Sequence, residues 1–232
     1  MGFKQKTIGL IGGMSWESSL LYYKIINEYS NELLGSHSNA KSILYTVNFE
    51  EIEKLQHSGK WDEATKILVE ATKALKLAGS DFIVICTNTM HKLLPEIQKE
   101  VDIEFLHIAK ATAKEIKKDG VKKVALLGTL FTMQEDFYKK VLVDEGLEVV
   151  IPRKKDMEFI HKVIYDELCL GVVKKESKKI YLDIINSLDE IEGVILGCTE
   201  IGMLVSQNDL NIKVYDTTIL HAKEAAKLAI FN

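Results

Sequence analysis

Two short apolar segments of the chain end in small, polar and reactive residues. The first reads IVICTNTMH over residues 83–91, and the second reads VILGCTEI over residues 194–201. An uninterrupted apolar run of this length is typical of a parallel strand that is buried on both faces. In open α/β sheets, ligands bind at the carboxyl ends of such strands. We therefore expect the two strand ends to face each other across one small substrate.

Predicted strands and helices alternate along the chain. Strands are expected near residues 7–12, 42–47, 81–86, 103–106, 122–127, 147–151, 193–197 and 212–215. This alternation predicts mainly parallel sheets that are flanked by helices on both faces. A strand–helix–strand–helix–strand order ending in Cys-Thr occurs within residues 1–90 and again within residues 121–200, which indicates two similar α/β lobes.

Composition narrows the class of protein. Of the 232 residues, 47% are hydrophobic and 28% are charged, which is ordinary for a globular protein. The net charge is −4 and lysines and glutamates are interspersed along the chain, which argues against a nucleic-acid partner. No apolar run approaches the ~20 residues that span a bilayer, and residues 1–13 lack a signal-peptide pattern. The three cysteines have no zinc-ligand spacing and fit reduced thiols, so we expect a cytoplasmic protein without a membrane partner.

Cys198 is the first candidate for chemistry. It follows Gly197, whose missing side chain lets a ligand approach closely. It also precedes a predicted helix, and a helix N-terminus lowers the pKa of a thiol. The alternative is an ordinary buried cysteine that acts as a small apolar residue.

In the first segment, either Cys86 or Thr87 could be the residue that faces the substrate as Cys198 does in the second. Neighbours along a strand point to opposite faces, so only one of the two can face a substrate. Cys86 continues the apolar run, whereas Thr87 begins the polar turn, which favours Cys86 for the core.

Two predicted strand-to-helix turns could bind an anion. Asn88 and Thr89 in one turn, and Thr129 and Thr132 in the other, offer hydroxyls, an amide and backbone N–H groups. Simple helix capping explains the same residues equally well. The glycine turn at residues 12–13 is not a GxGxxG motif, and His91 and His107 are expected to be structural.

Four motifs together resemble the aspartate/glutamate racemase family. They are GGMSWES at residues 12–18, CTNTMH at 86–91, LGT at 127–129 and GCTEI at 197–201, and the resemblance runs from about residue 7 to residue 230. ELCLG at residues 167–171 and NFEEIE at 48–53 resemble the broad amino-acid racemase branch, which includes the L-aspartate/glutamate-specific racemase.

The resemblance implies a fold and a reaction. We expect two pseudo-symmetric α/β lobes, formed by residues 1–114 with 215–232 and by residues 115–214, and an active site in the cleft between them. The family implies a homodimer that racemises a small amino acid without pyridoxal phosphate, another cofactor or a metal. Two acid/base residues act from opposite faces of the substrate Cα.

Carried over by motif, the two acid/base residues are Thr87 and Cys198. Most members of the family place cysteines at both positions, whereas this chain and the branch that it resembles place a threonine at the first. A thiolate can remove a weakly acidic α-proton, but a threonine hydroxyl is a poor base. We expect Cys198 to be the main base, Thr87 to donate or relay a proton, and the L-enantiomer to be preferred.

The resemblance also suggests a substrate pocket. The substrate carboxylate is expected on Asn88, Thr89, Thr129, Thr132 and the backbone amide of Thr199, and positions matching Met14 and Gln56 line the pocket. Some relatives bind the side-chain carboxylate with an arginine and a lysine; the arginine has no clear match here, and Cys169 occupies the lysine position.

Two other functions fit the sequence. Related enzymes of this fold are isomerases and decarboxylases that use similarly placed cysteines. A non-catalytic amino-acid binding protein would also fit, because Thr87 could mark the loss of a base.

Overall fold

The computed structural model describes residues 5–231 and divides the chain into two compact units. The first unit contains the chain up to His107 and again from His221, and the second unit contains Ile108–Leu220. From the sequence, the chain is expected to pass from the first lobe to the second at residues 114/115 and to return at residues 214/215.

The first unit is built on a parallel sheet. Its strands lie in the order β2-β1-β3-β4, and they are β1 (Ile8–Gly12), β2 (Ser42–Thr46), β3 (Phe82–Ile85) and β4 (Glu104–Phe105). The helices between them are α1 (Trp16–Leu34), α2 (Phe49–His57), α3 (Trp61–Leu77), a 3₁₀ helix at Thr89–Leu93 and α4 (Leu94–Glu100).

The second unit repeats this topology. Its parallel sheet has the order β6-β5-β7-β8, with β5 (Lys123–Gly128), β6 (Glu148–Val150), β7 (Gly193–Gly197) and β8 (Lys213–Asp216). Its helices include α5 (Ile108–Lys118), α6 (Leu130–Gln134), α7 (Asp136–Asp144), α8 (Lys154–Asp166) and α9 (Lys175–Asn186). The last helix, α10 (Thr217–Phe231), begins in the second unit, and from His221 onward it belongs to the first.

The α/β fold of two similar lobes that the sequence predicted is confirmed. The sequence also predicts one helix after β5 that runs to residue 145 and one at about residues 90–99, and the structure differs in both. The first is broken at Glu135, whose extended backbone separates α6 from α7. The second begins as a 3₁₀ turn and becomes α-helical at Leu94, with Pro95 in the first turn, where a missing N–H costs nothing. No helix within residues 5–231 has both the length and the apolar character needed to cross a bilayer.

Each sheet is buried between two layers of helices. In the first unit, Phe82 and Val84 pack with α1 and α10, while Ile83 and Ile85 pack with α3 and α4. In the second unit, β-strand side chains pack either with α5 and α7 or with α8 and α9. Because α3 connects β2 to β3 as α8 and α9 connect β6 to β7, the α3 layer and the α8/α9 layer are counterparts.

Two glycines allow β5 and β7 to pack closely at their carboxyl ends. Gly128 and Gly197 lie opposite each other in the ladder. A Cβ atom on Gly197 would lie 2.7 Å from the carbonyl oxygen of Leu127, and one on Gly128 would lie 2.8 Å from the carbonyl oxygen of Gly197. Both distances are too short for a carbon atom, so neither position accepts a side chain without movement of the backbone.

We expect Gly197→Ala to lower the free energy of unfolding by about 3 kcal/mol, because the methyl group overlaps the neighbouring strand. Gly79→Ala is the matched control: Gly79 has a φ of +96° with open space where a Cβ would lie. That control should lose only about 1 kcal/mol through backbone strain. Urea unfolding of both variants measures the difference, and equal losses would contradict the overlap.

Candidate active site

The carboxyl end of β3 presents Thr87 and buries Cys86. Phe82–Cys86 are all buried, and Thr87 is the first partly exposed residue after the strand. Cys86 packs with Phe82 and Val84 in the α1 layer, and its burial raises the pKa of the thiol far above its usual value. Strand alternation assigns Thr87 to the side of Ile83 and Ile85, the α3 layer.

The carboxyl end of β7 follows the same pattern with different residue types. Gly193–Gly197 are all buried, and Cys198 is the first partly exposed residue after the strand. Cys198 packs with Val194 and Leu196 against the α8/α9 layer, the counterpart of the α3 layer. Thr87 and Cys198 therefore occupy equivalent positions in the two units, and the counterpart of Cys86 is Gly197.

Cys198 is held by a carboxylate. Its Sγ donates a hydrogen bond of 2.9 Å to Oε2 of Glu200, and the Thr199 hydroxyl donates one of 2.6 Å to the same oxygen. Glu200 is buried, with 5% of its surface exposed. The resting state is thus a thiol that points its proton at a buried acceptor.

The expectation of a lowered thiol pKa at Cys198 is wrong. Burial, followed by the negative charge of Glu200, raises the pKa of Cys198 well above its usual value. The reason lies in the local structure, because only a three-residue 3₁₀ helix, Ile201–Met203, follows the cysteine. Such a short segment has no aligned N–H groups sufficient to offset desolvation.

Thr129 and Thr132 lie at the adjacent end of β5. Thr129 caps α6, where its hydroxyl oxygen accepts from the backbone N–H of Thr132 at 3.3 Å. The two hydroxyls are also 3.2 Å apart. Thr132 is fully buried and its side chain covers the Gly128–Gly197 pair. The capping interpretation of these threonines is therefore correct, and an additional role in carboxylate binding stays a prediction.

The turn that contains Thr87 is fixed by hydrogen bonds from both sides. The Ser18 hydroxyl donates to the Cys86 carbonyl at 3.1 Å, and His91 Nδ1 lies 2.9 Å from the Thr87 carbonyl oxygen. Ser15 caps α1, because its hydroxyl oxygen accepts from the backbone N–H of Ser18. The serines of the GGMSWES motif are thus structural elements of this strand end.

The other predicted residues of the first unit surround the same strand end. Asn88 and Thr89 are buried in the turn with 2% and 5% of their surfaces exposed. Met14 belongs to the α3-side core with Met90, and Gln56 Nε2 lies 2.9 Å from Met90 Sδ. The structure therefore places Met14 and Gln56 on the α3 side of the sheet, the side to which strand alternation assigns Thr87.

Cys169, which the family resemblance assigns to the lysine position of some relatives, packs against the same core as Cys198. It lies in the 3₁₀ helix Leu168–Leu170 and interacts electrostatically with Cys198. No local sequence pattern by itself links positions 169 and 198. Among residues 5–231, no three His, Cys, Asp or Glu side chains form a group that could bind a metal ion.

Comparison with known proteins places these features in a family. Residues 11–225 match the sequence profile described as Asp/Glu/hydantoin racemase. The chain is 31% identical over 148 residues to the broad specificity amino-acid racemase RacX of Bacillus subtilis (strain 168), an alignment that covers 62% of this chain and 63% of that protein. The chain thus spans less than two thirds of this curated relative.

Solved structures match over nearly the full length. A candidate Asp/Glu racemase from Yersinia pestis is 46% identical with a TM-score of 0.90, covering 97% of this chain and 99% of that one. An aspartate racemase homologue from Pyrococcus horikoshii OT3 is 40% identical with a TM-score of 0.84 and the same coverage. With its profile matched from residue 11 to residue 225, this chain belongs to the Asp/Glu/hydantoin racemase family.

Proposed function

We propose that the chain is a cofactor-independent amino-acid racemase that interconverts the L- and D-forms of aspartate, glutamate or a broader set of amino acids. The observation that carries this proposal is the equivalence of Thr87 and Cys198, each the first partly exposed residue after the third strand of its unit. Two acid/base groups in equivalent positions suit a reaction whose substrate and product are mirror images. The names of the relatives, broad specificity amino-acid racemase and aspartate racemase homologue, support the same reaction.

In the proposed mechanism, Cys198 is the stronger base. Its thiol transfers a proton to Glu200, and the resulting thiolate removes the α-proton of the substrate. Thr87 donates a proton to the opposite face of Cα and takes one from water, while Glu200 returns its proton to water, so that both groups are restored. Because the carbanion is high in free energy, N–H and O–H donors must lie close to the substrate carboxylate. Asn88, Thr89, Thr129, Thr132 and the Thr199 amide are proposed for this role, with Met14 and Gln56 lining the pocket.

Glu200 resolves a difficulty that the raised pKa of Cys198 creates. A thiol with a raised pKa holds little thiolate at neutral pH. A carboxylate 2.9 Å from Sγ can take the proton at the moment when the substrate needs a base. The thiolate then exists only transiently, in the presence of substrate.

The difference in base strength between Cys198 and Thr87 can affect only some of the kinetic constants. The two enantiomers have equal free energies in water, so kcat/KM must be the same in both directions. A preference for the L-enantiomer can therefore appear only as different values of kcat and KM for the two enantiomers, with equal ratios.

We also propose that the protein is a homodimer and that it is cytoplasmic. On α1, Trp16, Leu20 and Tyr23 are at least half exposed and share one stripe at helical spacing. An exposed apolar stripe of this kind suits contact with a second copy of the chain.

Cys198→Ser should reduce α-proton exchange of L-aspartate or L-glutamate in deuterated water by about 10³-fold, because a hydroxyl cannot replace the thiolate as a base. Proton NMR of the Cα–H signal measures the exchange. Undiminished exchange would remove Cys198 from the mechanism. If the unaltered protein exchanges no amino acid but still binds one, the binding-protein alternative is favoured.

Thr87→Cys should raise kcat/KM for both enantiomers by the same factor, since a thiol is a better base than a hydroxyl. Circular dichroism of the amino acid measures racemisation from each side. Cys86→Ala is the matched control, and it should alter stability more than turnover because Cys86 is fully buried in the α1 layer. Loss of turnover in Cys86→Ala, with none in Thr87→Ala, would reverse the assignment.

Glu200→Gln separates two roles of the carboxylate by the sign of its effect. If Glu200 accepts the thiol proton, the variant should have a lower kcat at pH 7 and should recover activity as the pH rises. If Glu200 acts only through its charge, which raises the pKa of Cys198, its removal should increase activity at pH 7. The pH profile of kcat decides between them, and increased activity at pH 7 would exclude the acceptor role.

A further inference from the structure

Three histidines lie together at the carboxyl end of the first sheet. The ring centroid of His91 is 4.8 Å from that of His107 and 5.7 Å from that of His221. We propose that His91 is the positioning residue for Thr87, and that His107 and His221 fix the ring of His91. This inference rests on the proposed function, because it assigns His91 to the support of one of the two acid/base residues.

His91 acts as a neutral hydrogen-bond donor. It is 2% exposed, and burial lowers its pKa well below the usual value for histidine. Nδ1 lies 2.9 Å from the carbonyl oxygen of Thr87. A carbonyl oxygen can only accept, so the proton of the neutral ring is on Nδ1 and the bond runs from His91 to Thr87.

The neighbouring histidine has a defined tautomer as well. His221 is fully buried, and burial lowers its pKa to about 3. Its Nε2 lies 2.9 Å from the Leu106 carbonyl oxygen and therefore carries the proton, so Nδ1 accepts from the Tyr22 hydroxyl at 2.9 Å. His221 is thus locked at both nitrogens and provides a rigid wall beside the His91 ring.

The two carbonyl contacts determine the conformation of Thr87. The Cys86 carbonyl lies in the peptide plane before the Thr87 Cα, and the Thr87 carbonyl lies in the plane after it. Ser18 holds the first plane and His91 holds the second. Because peptide units are planar, fixing both planes fixes φ and ψ of the residue between them. The direction of the Thr87 Cα–Cβ bond follows from these angles, and the hydroxyl then occupies one of the staggered χ1 positions around that bond.

The second unit supports Cys198 differently. The residue four positions after Cys198 is Gly202, so the counterpart of His91 has no side chain. Cys198 is held instead through its own Sγ, by Glu200. A side chain held directly does not need a fixed backbone to the same degree. The hydroxyl of Thr87, a weak acid, depends on accurate placement, because a displacement of about 1 Å can cost roughly 10²-fold in rate.

Two substitutions separate positioning from packing. His91→Leu keeps the approximate volume and removes the donor, whereas His91→Asn keeps a donor near the Nδ1 position and leaves a cavity. We expect His91→Leu to lower kcat by about 10²-fold with little change in KM. His91→Asn should retain more kcat although it is the less stable protein. A role in packing alone predicts the opposite order of activities.

His57→Leu is the matched control. His57 makes the same contact, Nδ1 to the carbonyl oxygen four residues earlier, at 3.1 Å, but it lies exposed on α2. This variant should keep the unaltered kcat. In addition, His91→Leu should add no further loss in a Thr87→Ala background, because both changes remove the same placed hydroxyl. Independent losses would overturn the inference.

A measurement without turnover separates this inference from the proposed function. Amide hydrogen exchange of residues 87–90, followed by mass spectrometry, should accelerate about tenfold or more in His91→Leu and remain near the original rate in His91→Asn. If the unaltered protein racemises nothing but this difference is found, only the proposed function fails. Equal exchange in the two variants would overturn the positioning role, whatever the activity.

Discussion

The alternation of side chains along a doubly buried strand is the constraint on which the site depends. In each unit, the third strand has helices on both faces, so neighbouring residues at its carboxyl end belong to different layers. Cys86 and Thr87 cannot exchange roles without shifting the strand by one residue and exposing its core positions. The matching burial of residues 82–87 and 193–198 then identifies Thr87, and not the adjacent thiol, as the counterpart of Cys198.

The two strand ends solve different chemical problems. A thiol is intrinsically able to act as a base, but burial and a neighbouring carboxylate raise the pKa of Cys198, which is why the proposed mechanism assigns Glu200 as the acceptor of its proton. A threonine hydroxyl does not ionise in the accessible pH range, so neighbouring charges cannot make Thr87 a useful base or acid. The protein can instead fix the position of the hydroxyl. The structure accordingly surrounds Cys198 with an ionisable partner and Thr87 with backbone restraints.

Local patterns predict much of this molecule. The strands are expected within a few residues of their observed limits, because apolar runs that end at turn residues are properties of short segments. The alternation of side chains along a strand is also a local property, and it favours Thr87 over Cys86 from the sequence alone. What could not be predicted depends on contacts between distant segments: Cys169 beside Cys198, Ser18 on the Cys86 carbonyl, and His221 beside His91. The direction of the Cys198 pKa shift was missed because it depends on burial and on how short the following helix is.

The path of α10 has a consequence for how the protein can be made. Ala222, Ala225, Ala226 and Ala229 lie in the core of the first unit with β1 and β3, although the whole of the second unit, Ile108–Leu220, separates them from those strands in sequence. During synthesis, domains generally fold from the N-terminus as they leave the ribosome. Here the first sheet lacks part of its α1-side layer until α10 has emerged. The second unit contains all of its own helices as a continuous segment, so it can complete its core before the first unit does.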